Sequence, residues 1–141
     1  MGGGAGDLPD SHGFDRSFAL HASGADNWEQ KPFIPFYSEA PWFEDGKPAK
    51  LPDDFYSSRF LVDHMIDYLS QRDPDHPFFA YVAFQAIHIP IQAPREFTDH
   101  YKGVYSDGWE ATLRRRFERA KALGLIPPDA APPAMHPSLR K

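Results

Sequence analysis

Apolar positions are unevenly spaced along the chain, and the spacing divides it into segments of different character. From Ser57 to Arg72 the residues Leu61, Val62, Met65, Ile66 and Leu69 recur three and four apart, which places them on one face of a helix. Ser57 or Ser58 is suited to cap its start. Asp73-Pro74 ends it, because the residue before a proline is pushed away from helical geometry. The run Phe78-Phe79-Ala80-Tyr81-Val82-Ala83-Phe84 then has no polar break, and an unbroken apolar run of this length predicts a strand buried on both faces. Helix, short turn and buried strand make half of an α/β unit.

Beyond the strand, Pro94-Arg95-Glu96 opens a short helix to about Tyr101, and a longer one runs from about Gly108 to Leu123. Asp107 with Glu110 three residues on forms a capping-box pattern, and Gly124 suits the left-handed position past the helix end. Trp109, Leu113, Phe117 and Ala120 form the apolar stripe. Arg114, Arg115 and Arg119 then face water, so the arginine run reads as a solvated helix face rather than an anion site. Residues 13–53 are rich in aromatics and prolines, with Asp45-Gly46 as a turn between Trp42-Phe43 and Lys47-Pro48. That segment is expected to be irregular, with short strands and a hairpin.

The ends differ from the middle. Residues 1–12 are glycine-rich and expected to be disordered, and residues 129–141 form a proline-rich tail expected to be extended. Met1 to Asp7 lacks the basic start and apolar core of a signal peptide, and both ends read as cuts through a larger protein.

Composition narrows the chemistry. Apolar residues make up 41% of the chain and aromatics 15%, enough for the core of one domain. A net charge of -5 argues against nucleic acid or an anionic membrane as partner, since both attract an excess of Lys and Arg. No apolar run approaches the roughly 20 residues that span a bilayer. The absence of cysteine excludes disulfides, thiolate metal sites and a cysteine nucleophile, while leaving the compartment open.

One polar residue stands out. His88 follows the buried run, past the carboxyl end of the expected strand, where open α/β sheets bind ligands. The competing account is a histidine that satisfies backbone carbonyls in the turn before Pro90. The other histidines have plainer readings: His12 and His21 as loop residues, His64, His76 and His100 as structural or exposed. Lys102 reads as a side chain that lays its stem over helix packing.

Four stretches together resemble the sulfatases of the bacterial arylsulfatase type, within the alkaline-phosphatase-like superfamily. They are Gly13-Phe14-Asp15-Arg16-Ser17-Phe18; Phe78 through His88 to Pro94; Tyr101-Lys102-Gly103-Val104-Tyr105-Ser106-Asp107-Gly108-Trp109; and Arg116-Phe117-Glu118-Arg119 leading to Gly124-Leu125-Ile126-Pro127. Each is weak alone, but their order and spacing make the likeness specific over most of residues 13–128. The resemblance implies an α/β fold, a partial alkaline-phosphatase-like or sulfatase fold in which a central strand of a mixed sheet is flanked by helices. Residues 13–128 would be the middle portion of the catalytic domain.

It also implies hydrolysis of a small-molecule sulfate ester by a formylglycine nucleophile supported by calcium. The formylglycine precursor is a Cys or Ser in a Cys/Ser-x-Pro/Ala-x-Arg motif. Here there is no cysteine, and none of Ser11, Ser17, Ser23 or Ser38 is followed by the required Pro and Arg. Nucleophile and metal ligands are therefore expected outside this chain, which binds no metal through its own residues and is expected to be inactive alone. The family's histidine that hydrogen-bonds the sulfate corresponds to His88, the one catalytic residue expected here. Ala25-Asp26-Asn27-Trp28 aligns with a family loop near the pocket mouth, which makes Asn27 and Trp28 candidate substrate contacts. Two other readings stay open: a phosphonate or phosphate monoester hydrolase of the same superfamily, and a truncated, non-catalytic sulfatase-like protein.

Overall fold

Trp42, 1% exposed, is the residue around which the first part of the chain assembles. It opens strand β2 (Trp42–Glu44), which lies between β1 (Phe18–Leu20) and β3 (Lys47–Pro48) in a three-stranded antiparallel sheet. Leu20 pairs with Trp42 and Phe18 with Glu44, while Glu44 pairs with Lys47 across a two-residue loop. That loop is Asp45-Gly46, with φ of 47° and 76°. Two successive positive φ values match the right-handed twist of the flanking strands, so the turn signal legible in the sequence becomes a tight hairpin.

The structure, a computed structural model, describes residues 5–134 and comprises two units, Met1–Ala93 and Pro94–Lys141. In the first, helix α1 (Ser57–Ser70) packs on the sheet through aromatic rings. Phe18 stacks on Trp42 at 5.2 Å and tilts against Phe60 at 4.9 Å, and Phe55 meets Trp42 edge-on at 5.3 Å. Large rings at these separations supply most of the apolar area that a small core can bury. The packed face of α1 carries Phe60, Leu61, His64, Met65, Tyr68 and Leu69, all partly buried. The apolar face is therefore rotated from the expected one: Leu61, Met65 and Leu69 turn inward, whereas Val62 and Ile66 are exposed. Phe60 and Tyr68 draw it round, because rings reach the sheet aromatics and Val62 does not.

The expected start of α1 is corrected. Neither Ser57 nor Ser58 caps α1; Tyr56 holds that position in an extended conformation without a side-chain cap. The Ser57 hydroxyl instead donates to Asn27 Oδ1 at 2.6 Å. Residues 5–12 precede the sheet as two short turns. Ala5–Asp7 and Pro9–His12 form 3₁₀ turns, the second started by Pro9 and closed by Gly13 at φ 87°, and Leu8 between them is buried. The expectations for residues 1–4 and 135–141 lie outside the described residues.

The largest correction concerns residues 78–84. They form no strand, and their rings lie in the open, with Phe79 79% exposed. A strand buried on both faces needs a ladder along each edge for its N–H and C=O groups. Among the described residues the three strands pair only with one another, and none lies beside this run. Its apolar pattern is that of a central strand, but the neighbours that would bury it are not among them.

The second unit holds α2 (Arg95–His100) and α3 (Gly108–Ala122), at the expected places. Asp107 does not cap α3 through its side chain; the Arg115 guanidinium takes its carboxylate, and Glu110 pairs with Arg114 at 3.0 Å. A charged partner one helical turn or two along outcompetes the reciprocal cap. Gly124, at φ 68°, closes the helix as its sequence position suggests, with Leu125 N donating to the Ala120 carbonyl at 3.0 Å.

Candidate functional site

A cavity of about 1120 Å³ lies within the first unit. One wall is β1 with its approach from Gly13, a second is the inward face of α1, and a third is the extended run from Phe78 to Gln85 together with His88. Apolar side chains dominate the walls, and a few polar groups converge among them, the usual character of a small-molecule site.

His88 sits in a turn. Its backbone N–H donates to the Gln85 carbonyl at 2.8 Å, and its ring Nδ1 lies 2.8 Å from the Ile89 carbonyl oxygen. A carbonyl can only accept, so Nδ1 carries the hydrogen. Nε2 makes no hydrogen bond among the described residues. The neutral ring thus presents a lone pair at Nε2, and Nε2 donates only when the ring carries its second proton. The turn contact anticipated as the plainer account of His88 is present, and it consumes only one of the two nitrogens.

Asn27 and Trp28 are held differently. Asn27 is 4% exposed, and its side chain ties three segments together. Nδ2 donates to Gln92 Oε1 at 3.0 Å and to the Pro90 carbonyl at 3.5 Å, and Oδ1 accepts from Ser57 Oγ at 2.6 Å. Its backbone N–H also donates to Gln92 Oε1 at 2.9 Å, and its carbonyl accepts from Ser57 N at 2.9 Å. Both amide hydrogens are therefore committed to the protein. Trp28 tilts against Tyr56 at 5.3 Å, and neither residue lines the cavity. What Asn27 does reach is the loop that carries His88, two residues before Pro90.

Asp26 completes this clamp. Gln92 Nε2 donates to its Oδ2 at 2.7 Å, and the amides of Trp28 and Glu29 donate to its Oδ1 at 2.8 and 3.0 Å. Burial pushes the carboxyl up, but the Gln92 hydrogen bond, the two amides and the Lys31 charge more than offset it and hold it below the ordinary carboxylate value of 3.8. Gln92 is the member that sequence reasoning passed over. Its signal was there: it is the one polar side chain between Ile89 and Pro94.

A second polar cluster lies where α1 meets the hairpin. Tyr68 donates to Glu44 Oε1 at 3.0 Å, Arg16 Nε donates to Asp45 Oδ2 at 2.8 Å, and the Arg16 guanidinium lies 4.2 Å from the Tyr68 ring centre. Burial, and then Glu44, push the Tyr68 hydroxyl well up, so it stays a donor. His64 is structural, 4.1 Å from the Phe60 ring and 3.7 Å from Glu44. His76 pairs with Asp73 at 2.9 Å at the surface. His21 turns its ring edge to Phe43 at 5.7 Å, and His12 lies at the cavity rim. Among the described residues no three His, Asp or Glu side chains are placed to hold a metal ion.

Comparison with known proteins gives one consistent answer. Residues 4–130 match the sulfatase family profile. The chain is 35% identical over 134 residues to an uncharacterized sulfatase of Schizosaccharomyces pombe, covering 88% of this chain and 24% of that protein. It is 34% identical over 135 residues to an arylsulfatase of Klebsiella aerogenes, covering 91% and 28%, and 32% identical over 99 residues to mouse arylsulfatase J, covering 69% and 17%. The chain thus spans about a quarter of the length of the first two.

Proposed function

The chain belongs to the sulfatase family, and from that premise we propose that it is part of an arylsulfatase-type sulfuric ester hydrolase, to which it supplies the histidine that contacts the sulfate group. The sulfatase domain carries the alkaline-phosphatase-like fold, of which these helices and the three-stranded sheet form a partial α/β portion. The observation that carries the proposal is the state of His88: one ring nitrogen anchored on the Ile89 carbonyl, the other unengaged, in the wall of the cavity.

The anchor fixes the ring, so little rotamer freedom is lost when an anion arrives. Once doubly protonated, His88 donates from Nε2 to a sulfate oxygen and offsets charge that grows on the departing oxygen. Asn27, Gln92 and Asp26 act one step back, holding the loop from Pro90 to Gln92 against the start of α1. They position the histidine rather than touch substrate.

In the complete family enzyme, formylglycine would supply the nucleophile, and calcium would support it and polarise the sulfate. The residues of this chain do not fit either group: it has no cysteine, and no metal-holding cluster occurs among the described residues. The chain alone is proposed to be inactive. The substrate is a small-molecule sulfate ester. Nucleic acid and membrane are not proposed as partners, a reading supported by the charge of -5. No described helix is long and apolar enough to cross a membrane. The arylsulfatase relatives favour sulfate over a phosphate or phosphonate monoester.

Two assays on the purified chain test this. Calorimetric titration with phenyl sulfate is expected to show binding that weakens by about tenfold or more in His88→Ala, the cost of one charge-assisted hydrogen bond. Incubation with 4-nitrophenyl sulfate is expected to release no nitrophenol. Equal binding by the variant would overturn the role of His88, and turnover that falls with His88→Ala would overturn the placement of the nucleophile outside this chain.

A further inference from the structure

The carbonyl that anchors the His88 ring is itself packed against a glycine. Gly24 has a φ of +60°, and a methyl group placed on it would stand 2.9 Å from the Ile89 carbonyl oxygen and overlap the Ile34 side chain. Ordinary contact begins at about 3.4 Å, so no residue with a Cβ fits there unless something moves. The loop that starts at Gly24 is tied across its width: the Gly24 carbonyl accepts from Phe33 N at 3.0 Å, Asp26 N donates to the Lys31 carbonyl at 2.9 Å, and Ala25, 1% exposed, bridges to Pro32. Farther along the same loop, Asn27 Nδ2 reaches the Pro90 carbonyl, and Asn27 and Asp26 both hold Gln92. One loop therefore fixes residues 89–92, by hydrogen bonds at one end and by bare backbone contact at the other.

We propose that Gly24 is a positioning residue for His88, whose missing side chain lets the Ile89 carbonyl lie where it accepts Nδ1–H and so selects the tautomer of the ring. This rests on the reading of His88 as the sulfate contact. The Ile89–Pro90 peptide has no N–H, so the carbonyl is its one hydrogen-bonding group, and the ring takes that group at 2.8 Å. The hydrogen bond made by one imidazole nitrogen sets which nitrogen carries the proton. With the carbonyl in place, Nδ1 keeps its hydrogen and Nε2 is left for an anion. With a methyl at position 24, Ile34 can change rotamer and the tied loop holds, so the carbonyl is what turns away. A prolyl peptide gives up no second hydrogen bond in turning, and the ring is then released to carry its hydrogen on Nε2.

¹⁵N spectroscopy of the histidine rings, on the free chain at a pH where the ring is neutral, reads this tautomer. In the wild type, His88 is expected to carry its hydrogen on Nδ1. In Gly24→Ala the ratio of Nδ1–H to Nε2–H is expected to fall by about fivefold, the effect of losing one net hydrogen bond, and phenyl sulfate to bind about fivefold more weakly because the ring is no longer held. Gly24→Ala with Ile34→Ala relieves the side-chain overlap and keeps the methyl against the carbonyl; it is expected to show the same shift, and it serves where the single variant fails to fold. Gly46→Ala is the control for strain alone: φ is +76° and the new methyl meets the Asp10 carboxylate, so it is expected to lower stability and leave the His88 ring unchanged. A wild-type ring protonated at Nε2, an unchanged tautomer in both Gly24 variants, or an equal shift in Gly46→Ala would each overturn the inference. The sulfate reading is judged separately: phenyl sulfate binding that does not depend on His88 would remove that reading, while a tautomer that shifts as expected would still establish the hold of Gly24 on the ring.

Discussion

Replacing Asn27 by alanine separates two accounts of that residue. Asn27 was a candidate substrate contact on its sequence position, yet its side chain is buried and committed to Gln92, Pro90 and Ser57. Alanine removes a hydrogen bond to Gln92 and a long one to Pro90, each worth about 1 kcal/mol net in a neutral pair. It also strands the Ser57 hydroxyl, which is fully buried and loses its acceptor, at about 1–3 kcal/mol. The expected loss is about 3–5 kcal/mol, a large share of the roughly 5–15 kcal/mol that holds a domain folded. Urea unfolding followed by far-UV circular dichroism measures it. Ser57→Ala supplies the internal check: with the hydroxyl gone, Asn27→Ala should cost about 1–3 kcal/mol less than in the wild type, the coupling of two groups in contact. A loss below about 0.5 kcal/mol would refute the clamp, because surface substitutions alone reach that size. Intact stability together with lost phenyl sulfate binding would restore Asn27 as a substrate contact.

The clamp also makes a prediction in pH. The folded value of Asp26 lies below its unfolded value, so the stability it contributes is fully present above about pH 4 and is lost as pH falls through the folded value. The urea midpoint should therefore drop on acidification below about pH 4, and less steeply in Asp26→Asn; parallel profiles would contradict the network. Gly24→Ala should destabilise by about 2 kcal/mol or more, since φ is +60° and the new methyl meets the Ile34 side chain and stands 2.9 Å from the Ile89 carbonyl oxygen. An unchanged unfolding midpoint would deny the close approach of the Gly24 turn to the His88 loop. Phe79→Lys should reduce self-association in light scattering while shifting stability by no more than about 0.5 kcal/mol, because the ring is largely exposed on an unpaired extended run; equal association would place the sticky surface elsewhere.

Local signals carried much of the fold. Asp45-Gly46, Gly124, the proline before α2 and the spacing of apolar residues in α1 and α3 each answer to chemistry within a few residues, and each element stands where its sequence places it. Residues 78–84 show the limit of such reading. Their pattern reports the environment of a central strand, and a strand depends on partners far away in sequence, which the described residues do not supply. The site divides in the same way. His88 was visible from its place after an apolar run, and the tautomer that governs its chemistry was not, since that depends on the Ile89 carbonyl. Asn27 was singled out by the likeness of its loop to a family loop near the pocket mouth, and its partners, 30 and 65 residues away, were not legible.

The central claim is that this chain contributes a sulfate donor and not a nucleophile, and ¹⁵N spectroscopy of the His88 ring tests it most directly. With phenyl sulfate bound, the account predicts that both ring nitrogens carry hydrogen, with Nδ1 still on the Ile89 carbonyl and a new hydrogen-bonded proton on Nε2, and that no sulfate is released. A ring whose Nε2 signal is unchanged at saturating phenyl sulfate would contradict it.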